Sequence, residues 1–103
     1  MDRHVLVLIT CGDPEEARVI GRRLVEERLA AGAQLIPIES IYRWQGEMFE
    51  DTEVVVVAKT RRDRFDEVET LVRELHSYEV PPVVMIDMDD ASAPYLAWID
   101  ENV

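Results

Sequence analysis

At 103 residues, 48% of them hydrophobic, the chain is sized for a single domain with one core, and no Gly/Ser/Pro-rich linker or shift in composition divides it. Twenty-two acidic residues against eleven basic ones leave a formal charge of −11, which repels phosphate backbones and anionic lipid and so argues against nucleic acid or a membrane as partner. The single cysteine, Cys11, excludes an intrachain disulfide and a cysteine-only metal cluster.

"MDRHVLVLIT" has too short an apolar run for a secretory leader, and no stretch approaches membrane-spanning length, so a cytoplasmic protein is expected. Val5 to Thr10 is a β-branched and leucine-rich run that stops at Cys11-Gly12, as a buried strand does. A helix signal follows. Asp13 is the cap, Pro14 suits the first helical position, Glu16 completes a capping-box spacing, and Glu15 complements the positive helix end. Ala17, Ile20, Leu24 and Val25 share one face of this helix, which is expected to end near Gly32.

Gln34 to Gln45 reads as extended, with Pro37 implying an edge position or a bulge early in the strand, and Gly46-Glu47 as a turn. Met48 to Thr60 returns as a second long strand, giving an extended hairpin. Phe65, Val68, Leu71, Val72 and Leu75 then fall at helical spacing. Val83 to Met88 forms a fourth strand, and a short helix from about Pro94 to Asp100 presents Tyr95, Leu96, Trp98 and Ile99. The order β-α-β-β-α-β plus a terminal helix predicts an α+β, ferredoxin-like sandwich over residues 1–103.

In that topology the two main helices cover one sheet face, yet Val54, Val56 and Ala58 point one way while Val55 and Val57 point the other. "VLVLI" is apolar on both sides as well. A half-solvated antiparallel sheet alternates apolar with polar, so the second face needs a cover, and further copies of the chain supply it economically. The hairpin points the same way. A strand of about 12 residues at ~3.3 Å each reaches ~40 Å, well beyond a 100-residue body with a radius of gyration of ~13 Å.

"SIYRWQGE" (Ser40 to Glu47) places Tyr42 and Trp44 on one strand face, aromatic groups of the kind that interfaces favour. Taken with "ERLAAGAQLIP", "EVVVVAKT", "LHSYEVP" and "YLAWI", it gives nearly the whole chain an order and spacing that resembles the CutA1 divalent-cation tolerance proteins. The resemblance implies a trimeric ferredoxin-like fold similar to the PII signalling proteins, with sheets packed inward and hairpin arms embracing neighbours. It also implies an interest in copper or other divalent metals, through a cysteine after Leu-Ala-Ala and the histidine of Leu-His-Pro-Tyr. Here Gly32 stands at the cysteine position, His76 is kept, Ser77 replaces the proline and Pro82 a glutamate.

Candidate metal ligands are therefore His76, an imidazole next to a helix end, and Cys11, a thiol near a helix start, for a divalent cation such as Cu²⁺. His76 alone suits a helix-end hydrogen bond better than a ligand role, and Cys11 suits a small buried hydrophobe at least as well as a ligand. His4 has no partner at recognisable spacing. Asp87, Asp89 and Asp90 lack the full pattern of a hard-cation loop and read as a solvated turn. The amides of Cys11-Gly12-Asp13-Pro14 form no phosphate fingerprint and stand among acidic groups. Tyr42, Trp44, Glu53, Lys59 and Tyr78 match polar or aromatic positions of the family motif and, with Trp98, are candidate residues of clefts between subunits.

The expected function is a non-enzymatic, homotrimeric accessory or binding protein in divalent-metal tolerance. A PII-like module binding a small ligand in its clefts, and an enzyme using Cys11 or the cleft residues, are the alternatives.

Overall fold

Four strands and three helices make up the molecule in the computed structural model, which describes residues 3–103. Strand β1 (His4–Cys11) is followed by α1 (Pro14–Glu26), β2 (Gly32–Trp44), β3 (Glu47–Arg61), α2 (Phe65–Leu75), β4 (Val83–Asp87) and α3 (Ala93–Asn102). The sheet runs β2-β3-β1-β4, antiparallel throughout, so β1 and β3 form the central pair and Pro37 sits on an edge strand. This is the expected ferredoxin-like α+β fold.

Helix α1 starts where Asp13 Oδ1 accepts the amides of Glu15 and Glu16 at 2.8 and 3.0 Å, two of the donors that a helix start leaves unpaired. Its end differs from expectation. Arg28 takes a left-handed conformation (φ 56°) and the amides of Leu29 and Ala30 fold back onto the Leu24 carbonyl at 2.9 and 3.1 Å. The helix therefore stops at Glu26, and Gly32 is the first residue of β2 rather than the stop signal. Ala17, Ile20 and Leu24 from α1, and Val68, Leu71 and Val72 from α2, are buried at helical spacing. They close over Val5, Val7 and Ile9 of β1 and Val54, Val56 and Ala58 of β3 to form the core. Thr60, fully buried in this layer, donates its hydroxyl to the Leu29 carbonyl at 2.7 Å.

The opposite face is the open one. Register places Leu6, Leu8, Val55, Val57 and Ile36 there, continuing onto Val84 and Ile86 of β4. Val84, Ile86 and Ile36 are 51%, 43% and 48% exposed, an apolar surface with no helix across most of it. Helix α3 covers one corner. Trp98 lies against Gly32, and Ile99 is buried outside the main core cluster.

The hairpin turns through Gln45 and Gly46, both at positive φ (50° and 83°), one residue before the Gly46-Glu47 expected. Two consecutive left-handed residues make the turn whose twist matches the strands. Register is unbroken from Gly32↔Lys59 to Trp44↔Glu47. The outer part of this arm is exposed and stretches the molecule to 44 × 25 × 21 Å.

Because Asp13 satisfies two amides at once, Asp13→Ala should cost about 1 kcal/mol in urea unfolding, whereas Asp13→Asn should cost a few tenths at most.

Candidate functional site

Three elements meet at the end of the sheet where β1 runs out. Cys11 is the last residue of β1 and points into the helix-covered layer, Glu16 lies in the first turn of α1, and His76 caps the carboxyl end of α2. The strand period of two puts Cys11 on the same side as Val5, Val7 and Ile9. One ligand atom from each of Cys11, Glu16 and His76 lies within 4.8 Å of the other two. The structure thus brings both candidate metal ligands together and adds Glu16.

The cluster is held from outside by hydrogen bonds. His76 Nε2 lies 2.7 Å from the Thr10 carbonyl, and its Nδ1 accepts the Tyr78 amide at 3.0 Å. Those partners assign the proton to Nε2. Glu16 does not reach back to close a capping box. It accepts instead from the Ser77 amide at 3.0 Å and the Ser77 hydroxyl at 3.1 Å, and its Oε2 stands 3.7 Å from His76 Nδ1. Cys11 is buried, and burial pushes its thiol up to about 12, with the charges of Glu16, Asp13 and Glu53 acting in the same direction.

Beside this cluster the arm and the loop after His76 enclose an open cleft of about 850 Å³. Tyr42, Trp44, Glu53 and Tyr78, four of the residues singled out from sequence, line it together with Phe49. Tyr42 stacks on Phe49 with centroids 5.6 Å apart and donates to Asp51 Oδ2 at 2.6 Å, a bond that pushes its phenol up to about 12. Tyr78 donates to the mostly buried Glu53 at 2.5 Å, and burial, then that bond, raises its pKa. Glu39 and Glu79 also line the cleft, while no lysine or arginine does, so its field is negative. Gly12 makes room for this arrangement, because a Cβ there would come within 2.8 Å of the Tyr78 hydroxyl.

Lys59 and Trp98 lie elsewhere, at the α3 corner of the open face. Lys59 donates to Gln34, and burial lowers its pKa. Trp98 stacks on Tyr95 at 5.5 Å and fills the space over Gly32, where an added Cβ would lie 3.0 Å from the indole. Position 32 is therefore occupied by ring rather than by a thiol. It is also remote from His76, since four residues of β1, ~13 Å of strand, separate Leu6 of the Gly32-Lys59 row from Thr10.

Of the other sequence candidates, His4 does have a partner, Asp100, 2.9 Å from its Nε2 and 96 residues away. Asp87 pairs with Arg62, and Asp90 Oδ1 accepts the Ala91 amide at 2.9 Å. The acidic turn is thus tied to its surroundings by ordinary pairing.

Comparison with known proteins decides the family. A model described as "CutA1 divalent ion tolerance protein" matches residues 5–102. The chain belongs to the CutA1 family. Divalent-cation tolerance protein CutA of Thermus thermophilus is 44% identical over 98 residues, spanning 94% of this chain and 95% of that one. The Pyrococcus horikoshii CutA is 39% identical, spanning 95% of this chain and 96% of its own. Among solved structures, the Thermus protein superposes with a TM-score of 0.93 at 42% identity, covering 97% of this chain and 98% of that one. A structure described as the periplasmic divalent cation tolerance protein CutA of Archaeoglobus fulgidus also gives 0.93, at 37% identity, over 96% of this chain and 97% of that one.

The raised thiol generates a pH prediction. A thiol whose folded pKa lies above its unfolded value of 9.0 binds its proton more tightly when folded, so its contribution is complete below pH 9 and is lost as pH rises toward 12. Urea unfolding should therefore show stability falling across this window, with a smaller fall in Cys11→Ser. At pH 8 iodoacetamide should label Cys11 far more slowly in the native than in the unfolded protein.

Proposed function

We propose that residues 1–103 act as one CutA1 domain in divalent-cation tolerance, assembled as a homotrimer in the cytoplasm and working by binding rather than catalysis. The family match across residues 5–102 carries the tolerance reading. The apolar open face supports assembly. Val57, Leu8 and Val84 are opposed across β3, β1 and β4, with Ile86 opposite Leu6 beside them, and burying what remains exposed of each contributes about 1 kcal/mol. A closed ring of copies covers such a face on every subunit, and the projecting arms give each copy something to embrace.

The non-catalytic reading draws support from the chemistry of the cluster. The Cys11 thiol is held in its unreactive protonated form, and the His76 lone pair that would serve as a base is engaged by the Tyr78 amide. No helix among the described residues is long and apolar enough to cross a membrane. The periplasmic description of the Archaeoglobus relative makes cell fractionation a necessary part of testing location.

The experiment is complementation. In the source organism, deletion of the gene should lower growth under excess Cu²⁺ or Zn²⁺, and the wild-type gene should restore it. Val57→Asp, which plants a charge in the open face without touching the helix-covered core, should express as a smaller species and restore growth poorly. Equal metal sensitivity of deletion and parent strains would refute the tolerance reading.

A further inference from the structure

We infer that the cleft between the arm and the loop after α2 binds a primary organic amine in its ammonium form, with the N–H groups on Glu53 and an apolar stem along the aromatic wall. The inference goes beyond the tolerance reading and does not depend on it. It starts from one side chain. Glu53 stands where the arm joins the body of β3, on the same sheet face as Val55 and Val57, and is only 7% exposed. Its Oε2 takes the Tyr78 hydroxyl at 2.5 Å, while Oε1 accepts a hydrogen bond from no described residue. No ion pair among the described residues includes it. A carboxylate taken out of water without a counter-charge is costly, so the site lacks a cation.

The surroundings add to that demand rather than meet it. Glu39 and Glu79 line the same cleft, and no lysine or arginine does. His76, tilted against Tyr78 with ring centroids 4.7 Å apart, has its Nε2 on the Thr10 carbonyl and accepts the Tyr78 amide through Nδ1, so it is neutral and supplies no charge. Burial first, and then the charges of Glu16, Asp13 and Glu53, raise the Cys11 thiol, which therefore feels the Glu53 carboxylate. A second copy of the chain is a poor source of the missing charge, since each copy carries twenty-two acidic residues against eleven basic ones.

The walls decide what kind of cation fits. Tyr42 and Phe49, opposite each other in register and stacked at 5.6 Å, continue the cleft out along the arm, and Trp44 lies beyond them. Aromatic faces attract an ammonium ion and its carbon stem alike. Four residues of β3, ~13 Å of strand, separate Glu53 from Phe49, so a stem of several carbons is needed to touch both ends. A bare metal ion finds one free carboxylate here and no second ligating side chain grouped with it, because the one such group of three among the described residues is at Cys11, Glu16 and His76. A quaternary ammonium satisfies the charge but has no N–H for Oε1. A primary ammonium supplies both.

Isothermal titration of the full chain with n-hexylamine, 1-hexanol and hexyltrimethylammonium separates these contributions. Hexylamine should bind saturably, one per chain. The alcohol, without the charge, and the quaternary ion, without the N–H, should each bind at least about tenfold more weakly. Glu53→Gln keeps the shape and an acceptor for the Tyr78 hydroxyl, and should weaken hexylamine at least about tenfold. Trp44→Leu, on the exposed part of the arm, should weaken it about threefold. Circular dichroism and sedimentation of both variants check their fold and mass. Absence of saturable binding by the wild type, equal affinity for the three probes, or unchanged hexylamine affinity in either variant would each overturn the site. So would a Glu53→Gln chain that sediments at a smaller mass than the wild type, because the carboxylate would then be pairing with a cationic side chain of a neighbouring copy. Growth under metal excess tests the tolerance reading separately, and neither result decides the other.

Discussion

The sheet is apolar on both faces, and the helices seal one of them. Val5, Val7 and Ile9 alternate with Leu6 and Leu8 along β1, and Val54 and Val56 with Val55 and Val57 along β3. The first set is buried beneath α1 and α2, while the second meets α3 only at one corner. Antiparallel sheets tolerate water on one side when that side is polar. The middle of this one, from Leu8 and Val57 to Val84 and Ile86, is apolar. The proposed assembly of the molecule with its own copies rests on that layer and on the arm that runs beyond the body.

The candidate site inherits its geometry from the same sheet. Because β1 is central and its odd-numbered residues face the helices, its last residue, Cys11, lies between the start of α1 and the end of α2. Capping by Asp13 sets the first turn of α1, and that turn carries Glu16 toward Ser77 and His76. The neighbouring cleft depends on the hairpin, whose register sets Tyr42 opposite Phe49, and on the loop after α2, which brings Tyr78 to Glu53. Gly12 and Gly32 matter for the space they leave. The first admits the Tyr78 hydroxyl and the second the Trp98 ring.

Much of this was legible in the sequence because it is written in local periods. Alternation along β1 and β3, the i, i+3, i+4 spacing in α1 and α2, and the Asp13-Pro14 start each depend on residues within a few positions of one another. The central pairing of β1 with β3 followed from the element order, and with it the bare second face. What escaped is non-local or breaks a local rule. Glu16 carried a capping-box signal but is drawn 61 residues along the chain to Ser77. His4 finds Asp100 across the length of the chain. Arg28 ends α1 in a left-handed conformation with no glycine to announce it, so Gly32 drew the boundary too late. Tyr78 and Glu53 showed their family motif but not their bond, since only the fold brings the loop after α2 against β3.

Sedimentation equilibrium of the wild-type chain at micromolar concentration tests the central claim most directly. With a subunit of 11.9 kDa, the account predicts a single species of three times that mass, unchanged on tenfold dilution. A well-behaved, compact species at the subunit mass would contradict it, because the open face would then be stable in water as it stands.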